Sequence, residues 1–263
     1  MILFIVIAIL ICVLIAHYFT WRPSNSDTYY NHQPLWFAHR GAFLTAPENT
    51  LSAYIEAQHK NIPAIELDVV STKDGIVVCS HNFDLERKTN GFGYIHELNY
   101  SELKQVKNGR LPNGPYEKIA TLEEALNVIK YPVRINIEIK TFKIFEFKTA
   151  IATAKIVKRK QLVDRVMLSS FNPITLWVIK TLYQSILTGY IIKERFMLLL
   201  VHVSRADFIH PRSDLVTKRL LQFARKKGMR INVWTVNTKP AIDWLIEQGV
   251  DGIITDRLEY YSE

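Results

Sequence analysis

The chain has 263 residues, 48% hydrophobic and 22% charged, with a formal net charge of +8. That suits one large globular domain or two small ones, and a basic balance compatible with an anionic substrate or surface. It contains no Lys/Arg block of the kind that forms a nucleic-acid arm; Lys155–Lys160 and Arg225–Lys227 read as solvated ends of helices. The two cysteines, Cys12 and Cys79, provide no CxxC pair for zinc or redox work.

In chain order, Met1 to Trp21 comes first, without a single Lys, Arg, Asp or Glu. As a helix it would span about 30 Å, the thickness of a bilayer's hydrocarbon core. A cleaved signal peptide usually has a basic start and a small-x-small cleavage site. Neither flank fits, so the expectation is a retained single-pass anchor at 1–21 that places the protein at a membrane. Arg22 weakly favours a cytosolic C-terminal side. Residues 22–33 read as a short polar linker, and 34–263 as one globular domain.

From Leu35 onward, apolar runs alternate with helical stretches. Strands are predicted at Leu35–Ala38, Ala64–Val70, Ile76–Ser80, Val133–Ile139, Arg165–Ser170, Leu187–Ile192, Asp207–His210, Arg230–Val236 and Gly252–Thr255. Helices are predicted at Asn49–Lys60, Thr121–Ile129, Phe145–Lys160, Ile174–Ser185, Asp214–Lys227 and Lys239–Gln248. Strand-helix alternation means parallel strands joined by crossovers, an α/β class. About 230 residues are enough for a TIM-like (β/α)8 barrel but leave little for a second domain. The surplus strand, Ile76–Ser80, follows the turn Thr72-Lys73-Asp74-Gly75 and reads as a hairpin partner of its predecessor. A doubly wound sheet lacks support, because neither GxGxxG nor GxxxxGK[ST] is present.

Candidate chemistry gathers on these strands. In Ile65-Glu66-Leu67-Asp68-Val69 the two carboxylates share one face, since side chains alternate along a strand. A divalent cation would offset their mutual repulsion, and carboxylate oxygens suit Mg²⁺ or Ca²⁺. A solvent-facing edge strand would show the same spacing. Asn136-Ile137-Glu138-Ile139-Lys140 repeats the device, either as a plain ion pair or as a third metal ligand beside an anion-holding lysine. His39 and His81 each end a strand-like run, beside Arg40, and two imidazoles titrating near neutrality can serve as general acid and base. In parallel barrels chemistry occupies the C-terminal ends of strands, where these residues fall.

The ordered set of motifs resembles the glycerophosphodiester phosphodiesterase family. It runs through His39-Arg40-Gly41, Pro47-Glu48-Asn49-Thr50, Glu66-Leu67-Asp68-Val69, Thr72-Lys73-Asp74-Gly75, His81 and Thr89-Asn90-Gly91. It continues in Glu138-Ile139-Lys140, Ser169-Ser170-Phe171, Val233-Trp234-Thr235-Val236-Asn237 and Gly252-Ile253-Ile254-Thr255-Asp256. The resemblance implies a TIM-like barrel that hydrolyses a glycerophosphodiester with one divalent cation. It implies Glu66, Asp68 and Glu138 as metal ligands and His39 and His81 as the acid/base pair. Arg40 and Lys140 would stabilise phosphate charge, and Glu48 would contribute to the metal site or orient its neighbours. One departure is Asn82, where the family usually has Asp; tuning of activity rather than its loss is expected.

Further readings are plainer. Trp234 either stacks on substrate or fills the core. Asn237 and Asp256 are expected as helix caps, and Phe196–Val201 as buried core. The substrate is expected to be a glycerophosphodiester, releasing sn-glycerol 3-phosphate and an alcohol. A lysophospholipid is the alternative, and an inactive tethered binding barrel the alternative from a different class. No nucleic-acid or protein partner is indicated.

Overall fold

In a computed structural model, residues 4–6, 21–30, 34–109 and 116–261 are described. Most of the expected membrane span, Met1–Trp21, lies outside them. Among the described residues no helix is long and apolar enough to cross a membrane.

The strands are β1 (Leu35–Ala38), β2 (Ala64–Ser71), β3 (Val77–Cys79), β4 (Lys107–Asn108), β5 (Glu117–Lys118), β6 (Arg134–Ile139), β7 (Val166–Ser170), β8 (Leu187–Ile192), β9 (Phe208–Pro211), β10 (Arg230–Val233) and β11 (Gly252–Thr255). Parallel pairing runs β1, β2, β6, β7, β8, β9, β10, β11, and β11 returns to β1 with Leu35 opposite Gly252. This closes an eight-stranded barrel, as the strand-helix alternation predicts. β3 lies antiparallel on β2, with Val69 opposite Cys79, which is the expected hairpin.

Period-two alternation sorts every barrel strand into two environments. Ile65, Leu67, Val69, Ile135, Ile137, Ile139, Ile209 and Ile253 face outward into one large core under the helices. Leu35, Phe37, Ala64, Met167, Leu187 and Phe208 face inward and form a separate cluster with Tyr29 and Tyr30. The inward series therefore starts apolar at the floor and turns polar one layer higher, at Glu66, Asn136, His210 and Asn232. Gly189 is needed in that layer, because a Cβ there would stand 2.5 Å from Nε2 of His210.

His210 is completely buried, accepts no charge partner, and is pushed down by burial to a pKa of about 3. Its unfolded counterpart titrates near 6.5, so below that pH only the unfolded chain takes up the proton. This contribution to stability is complete above pH 6.5 and is lost as pH falls towards 3, by up to about 1.4 kcal/mol per pH unit. Urea unfolding of wild type and His210→Gln at several pH values checks this: the variant should show the shallower loss of stability with acid.

Residues 22–30, read from their polarity as linker, pack against the barrel floor. Ser24 N–H donates to Asp207 Oδ1 at 2.7 Å, and Arg134 Nη2 donates to Thr28 O at 2.7 Å. Tyr29 and Tyr30 hydroxyls donate to Ile135 O at 3.0 Å and Asn232 Oδ1 at 2.6 Å. Asp27 pairs with Arg230. Trp21, assigned to the expected span, is buried against His202 with ring centroids 5.8 Å apart.

Two features depart from expectation. Phe196 and Leu199, expected in the core, are 66% and 80% exposed. Arg195–Leu200 forms a 3-10 helix, whose three-residue turn stacks these two side chains on one outer face while Met197 is buried. Between β3 and the helix Leu122–Val128 an insertion carries the short helix Tyr100–Leu103 and the β4–β5 pair. It closes over its own cluster of Leu85, Ile95, Leu103 and Ile119.

Candidate active site

The inward series of each strand runs on past its C-terminal end and delivers the chemistry there. β1 continues through His39 and Arg40. Arg40 has φ of 58° and Gly41 of 79°, so the chain turns sharply and the Arg40 N–H donates to Glu66 Oε2 at 2.9 Å. Gly41 fits because a Cβ would meet Ala53, on the next helix, at 2.8 Å. That helix, Leu51–His59, starts at Thr50, whose hydroxyl caps Ala53 N–H. The preceding Asn49 reaches back to the strand: its Nδ2 donates to Asp68 Oδ2 at 2.8 Å and its Oδ1 accepts from Asp68 N–H at 3.0 Å.

β2 and β6 pair in register, with Glu66 opposite Asn136 and Asp68 opposite Glu138. Glu66, Asp68 and Glu138 consequently converge, each offering a carboxylate oxygen, with these oxygens within 4.8 Å of one another. Lys140 Nζ pairs with Glu138 and lies 2.8 Å from Asp68 Oδ1. Arg40 Nε lies 3.5 Å from Asp68 Oδ2, and Arg40 Nη1 donates to both oxygens of Glu48 at 3.2 Å. Glu48 also meets Lys88 at 3.2 Å, so it tethers the cations and stands outside the acid triad.

Electrostatics separates the three acids. Burial, then the Asp68 charge, raises Glu66 to about 8. Burial also raises Glu138, against the pull of Lys140. Asp68 goes the other way: burial is outweighed by Lys140 and Arg40, which hold it well below the carboxylate range. Two buried carboxyls whose ionisation burial opposes, beside a third that two cations keep ionised, are what a cation would relieve, and an all-carboxylate donor set suits a hard divalent ion. The residues fit the ion that the sequence implies.

The histidines flank this cluster. His81 Nδ1 lies 3.1 Å from Asn82 Oδ1, and its pKa is lowered, chiefly by burial. His39 Nδ1 lies 2.6 Å from Asp256 Oδ1. Burial lowers the His39 pKa, but the Asp256 hydrogen bond and the Glu66 charge outweigh it and the net shift is upward. Two imidazoles shifted in opposite directions are the arrangement an acid/base pair uses.

Comparison with known proteins gives the family. The model of the glycerophosphoryl diester phosphodiesterase family matches residues 39–260. The chain belongs to that family. A glycerophosphodiester phosphodiesterase of Caldanaerobacter subterraneus subsp. tengcongensis is 32% identical over 227 residues, covering 83% of this chain and 92% of the relative. Among solved structures, an Oleispira antarctica phosphodiesterase in complex with the product sn-glycerol-3-phosphate superposes with a TM-score of 0.78. It is 29% identical, and the match covers 87% of this chain and 96% of that one. The Thermotoga maritima glycerophosphodiester phosphodiesterase gives a TM-score of 0.71 at 31% identity, covering 88% and 98%.

Within this family member, the structure brings His39, Arg40, Glu48, Glu66, Asp68, His81, Glu138 and Lys140 to one rim, as the sequence predicts. Trp234 joins them: its Nε1 donates to His210 O at 2.6 Å and its ring meets Phe171 edge-on at 5.6 Å. Asp256 and Asn237 are corrected. Neither caps a helix; Thr238 precedes the helix Lys239–Glu247, while Asn237 Nδ2 donates to Asp256 Oδ2 at 2.5 Å. Asn237 Oδ1 accepts from Asp256 N–H at 3.0 Å, so the amide clamps the carboxylate that holds His39.

Asp256→Asn is therefore expected to lower turnover by about 10-fold, part of what a positioned acid or base contributes. The cation concentration needed for half activity should not change, since Asp256 is outside the acid triad. The alkaline limb of the pH–rate profile should move to lower pH, because the group raising the His39 pKa is gone. Steady-state kinetics across pH and cation concentration checks all three.

Proposed function

We propose that this phosphodiesterase hydrolyses glycerophosphodiesters to sn-glycerol 3-phosphate and an alcohol, with a divalent cation held by Glu66, Asp68 and Glu138. The observation that carries the reading is the convergence of three inward carboxylates between two oppositely shifted imidazoles. When bound, the cation supplies positive charge to the phosphate oxygens on which charge grows in the transition state. Mg²⁺ and Ca²⁺ both suit these oxygens.

The chain's own residues do the remainder. Arg40, steered by Glu48, and Lys140 face the phosphate with positive charge. His81, with its lowered pKa, takes the proton from the attacking oxygen. His39, whose pKa the Asp256 hydrogen bond raises against burial, gives one to the departing alkoxide. Trp234 forms a wall of the mouth against which the substrate packs. The alternative substrate is a lysophospholipid. The exposed Phe196 and Leu199, in the 3-10 helix that follows β8, are the observation that favours it.

Hydrolysis of glycerophosphocholine and lysophosphatidylcholine by the full chain, titrated with Mg²⁺, Mn²⁺ and Ca²⁺, tests this. Cation-dependent release of glycerol 3-phosphate and choline from glycerophosphocholine is expected, faster than release of choline from lysophosphatidylcholine. Absence of cation-dependent turnover on either would refute the activity. We also propose that the uncharged N-terminal segment anchors the protein in a membrane. Because Trp21 packs on the barrel, the span would end before it. Retention of the full chain in carbonate-washed membranes is the expected result; release into the supernatant would rule the anchor out.

A further inference from the structure

The barrel strands end in a ring of side chains set by one rule, two residues past the last inward position. On β6 that residue is Lys140, on β7 it is Phe171, and on β8 it is Lys193, following Gly189 and Ile191. β9 supplies Arg212, β10 Trp234, β11 Asp256 and β1 His39. Most members of this ring are engaged. Lys140 is held by Asp68 and Glu138, Arg212 by Asp214 at 2.6 and 2.9 Å, Trp234 by His210 O, and His39 and Asp256 by each other.

Lys193 differs. It is exposed, and among the described residues it makes no ion pair; the neighbouring Glu194 carboxylate lies 3.9 Å from Arg212. Its Nζ stands 6.0 Å from the centroid of the Phe171 ring, and Lys140 Nζ stands 5.9 Å from the same centroid. Phe171 thus holds two ammonium groups at the mouth by the attraction of its ring for cations. One belongs to the acid cluster and the other to the wall beyond. In the closed order of eight strands β8 lies four places from β1, so the strand ends that lead into Lys193 and His39 stand on opposite sides of the barrel.

A phosphate on the acid side is already met by Lys140 and Arg40. A substituent extending from that phosphate past the Phe171 ring would come within reach of Lys193. The glycerol half of a glycerophosphodiester is neutral and common to all such substrates; only the alcohol half varies in charge. We infer that Lys193 is a specificity-determining residue that recognises a second anionic group, a carboxylate or phosphate, carried by the alcohol. This deepens the proposed activity and rests on it.

Glycerophosphoserine and glycerophosphoethanolamine differ by one carboxylate and make a matched pair. For the full chain, kcat/KM on each ester is measured for wild type, Lys193→Gln and Lys193→Arg. An exposed ion pair supports a fall of about 3- to 5-fold in the serine-to-ethanolamine ratio for Lys193→Gln, carried by KM. Lys193→Arg should retain the wild-type ratio, and the Lys193→Gln effect should shrink as salt is raised. An unchanged ratio overturns the inference. So does an equal loss on both esters, which would put Lys193 on the shared phosphate. Wild type inactive on both esters overturns the proposed activity together with it, a result distinct from intact turnover with an unmoved ratio.

Discussion

Replacing His39 or His81 with alanine should lower turnover by about 10²-fold or more, with the fold intact. Both residues sit at strand ends and belong to none of the apolar clusters, so their removal opens no core cavity. The two losses should not multiply. Once one imidazole is gone the mechanism that used the other has already failed, and the double variant should be little worse than either single one. Steady-state rates at saturating cation, beside circular dichroism for the fold, check this. Unchanged turnover in either single variant would remove that histidine from the chemistry.

The second large effect separates two neighbouring acids. Glu66→Gln should leave the cation-free protein within about 1 kcal/mol of wild type, because burial already keeps Glu66 protonated near neutrality and the amide oxygen can still accept from Arg40. Its cation requirement should nevertheless rise by at least the roughly 10-fold that loss of even an indirect ligand support costs. Asp68→Asn should behave oppositely in stability. It takes a negative charge from between Lys140 and Arg40, and about 3 kcal/mol should be lost.

The pH dependence follows from the same shift. Glu66 goes from 4.5 to about 8, so its burial favours the cation-free fold fully below pH 4.5, and that contribution is lost as pH rises through 8. A cation reverses the loss. Stabilisation by added cation should therefore be larger at about pH 8.5 than at about pH 6, and weaker in Glu66→Gln. Thermal unfolding with and without cation measures both effects.

The strand alternation exposed most of this to sequence reading. Glu66 with Asp68 and Glu138 with Lys140 are separated by two residues, and a strand puts such pairs on one face whatever else the fold does. The helix starts expected at Asn49 and Thr121 fall within two residues of the observed ones, where the Thr50 and Thr121 hydroxyls are the caps. Partnerships made by closure of the barrel were not. Asp256 meets His39 across 217 residues, and nothing near either one distinguishes that contact from a cap. Residues 22–30 look like linker because their apolar members, Tyr29 and Tyr30, are only two, yet both find a place in the barrel floor. Phe196 and Leu199 look like core because an apolar run cannot announce that it will wind as a three-residue helix.

The strap across the floor has a consequence for the proposed anchor. Residues 21–30 join the barrel at Asp207, Arg230 and Arg134, all at or beside the N-terminal ends of strands, while the chemistry lies at the other end. A membrane segment preceding Trp21 would therefore tether the molecule by its sealed base and leave the opening turned outward. Water-borne diesters would reach such an opening unhindered, whereas a lipid lodged in the same bilayer would have to leave it first.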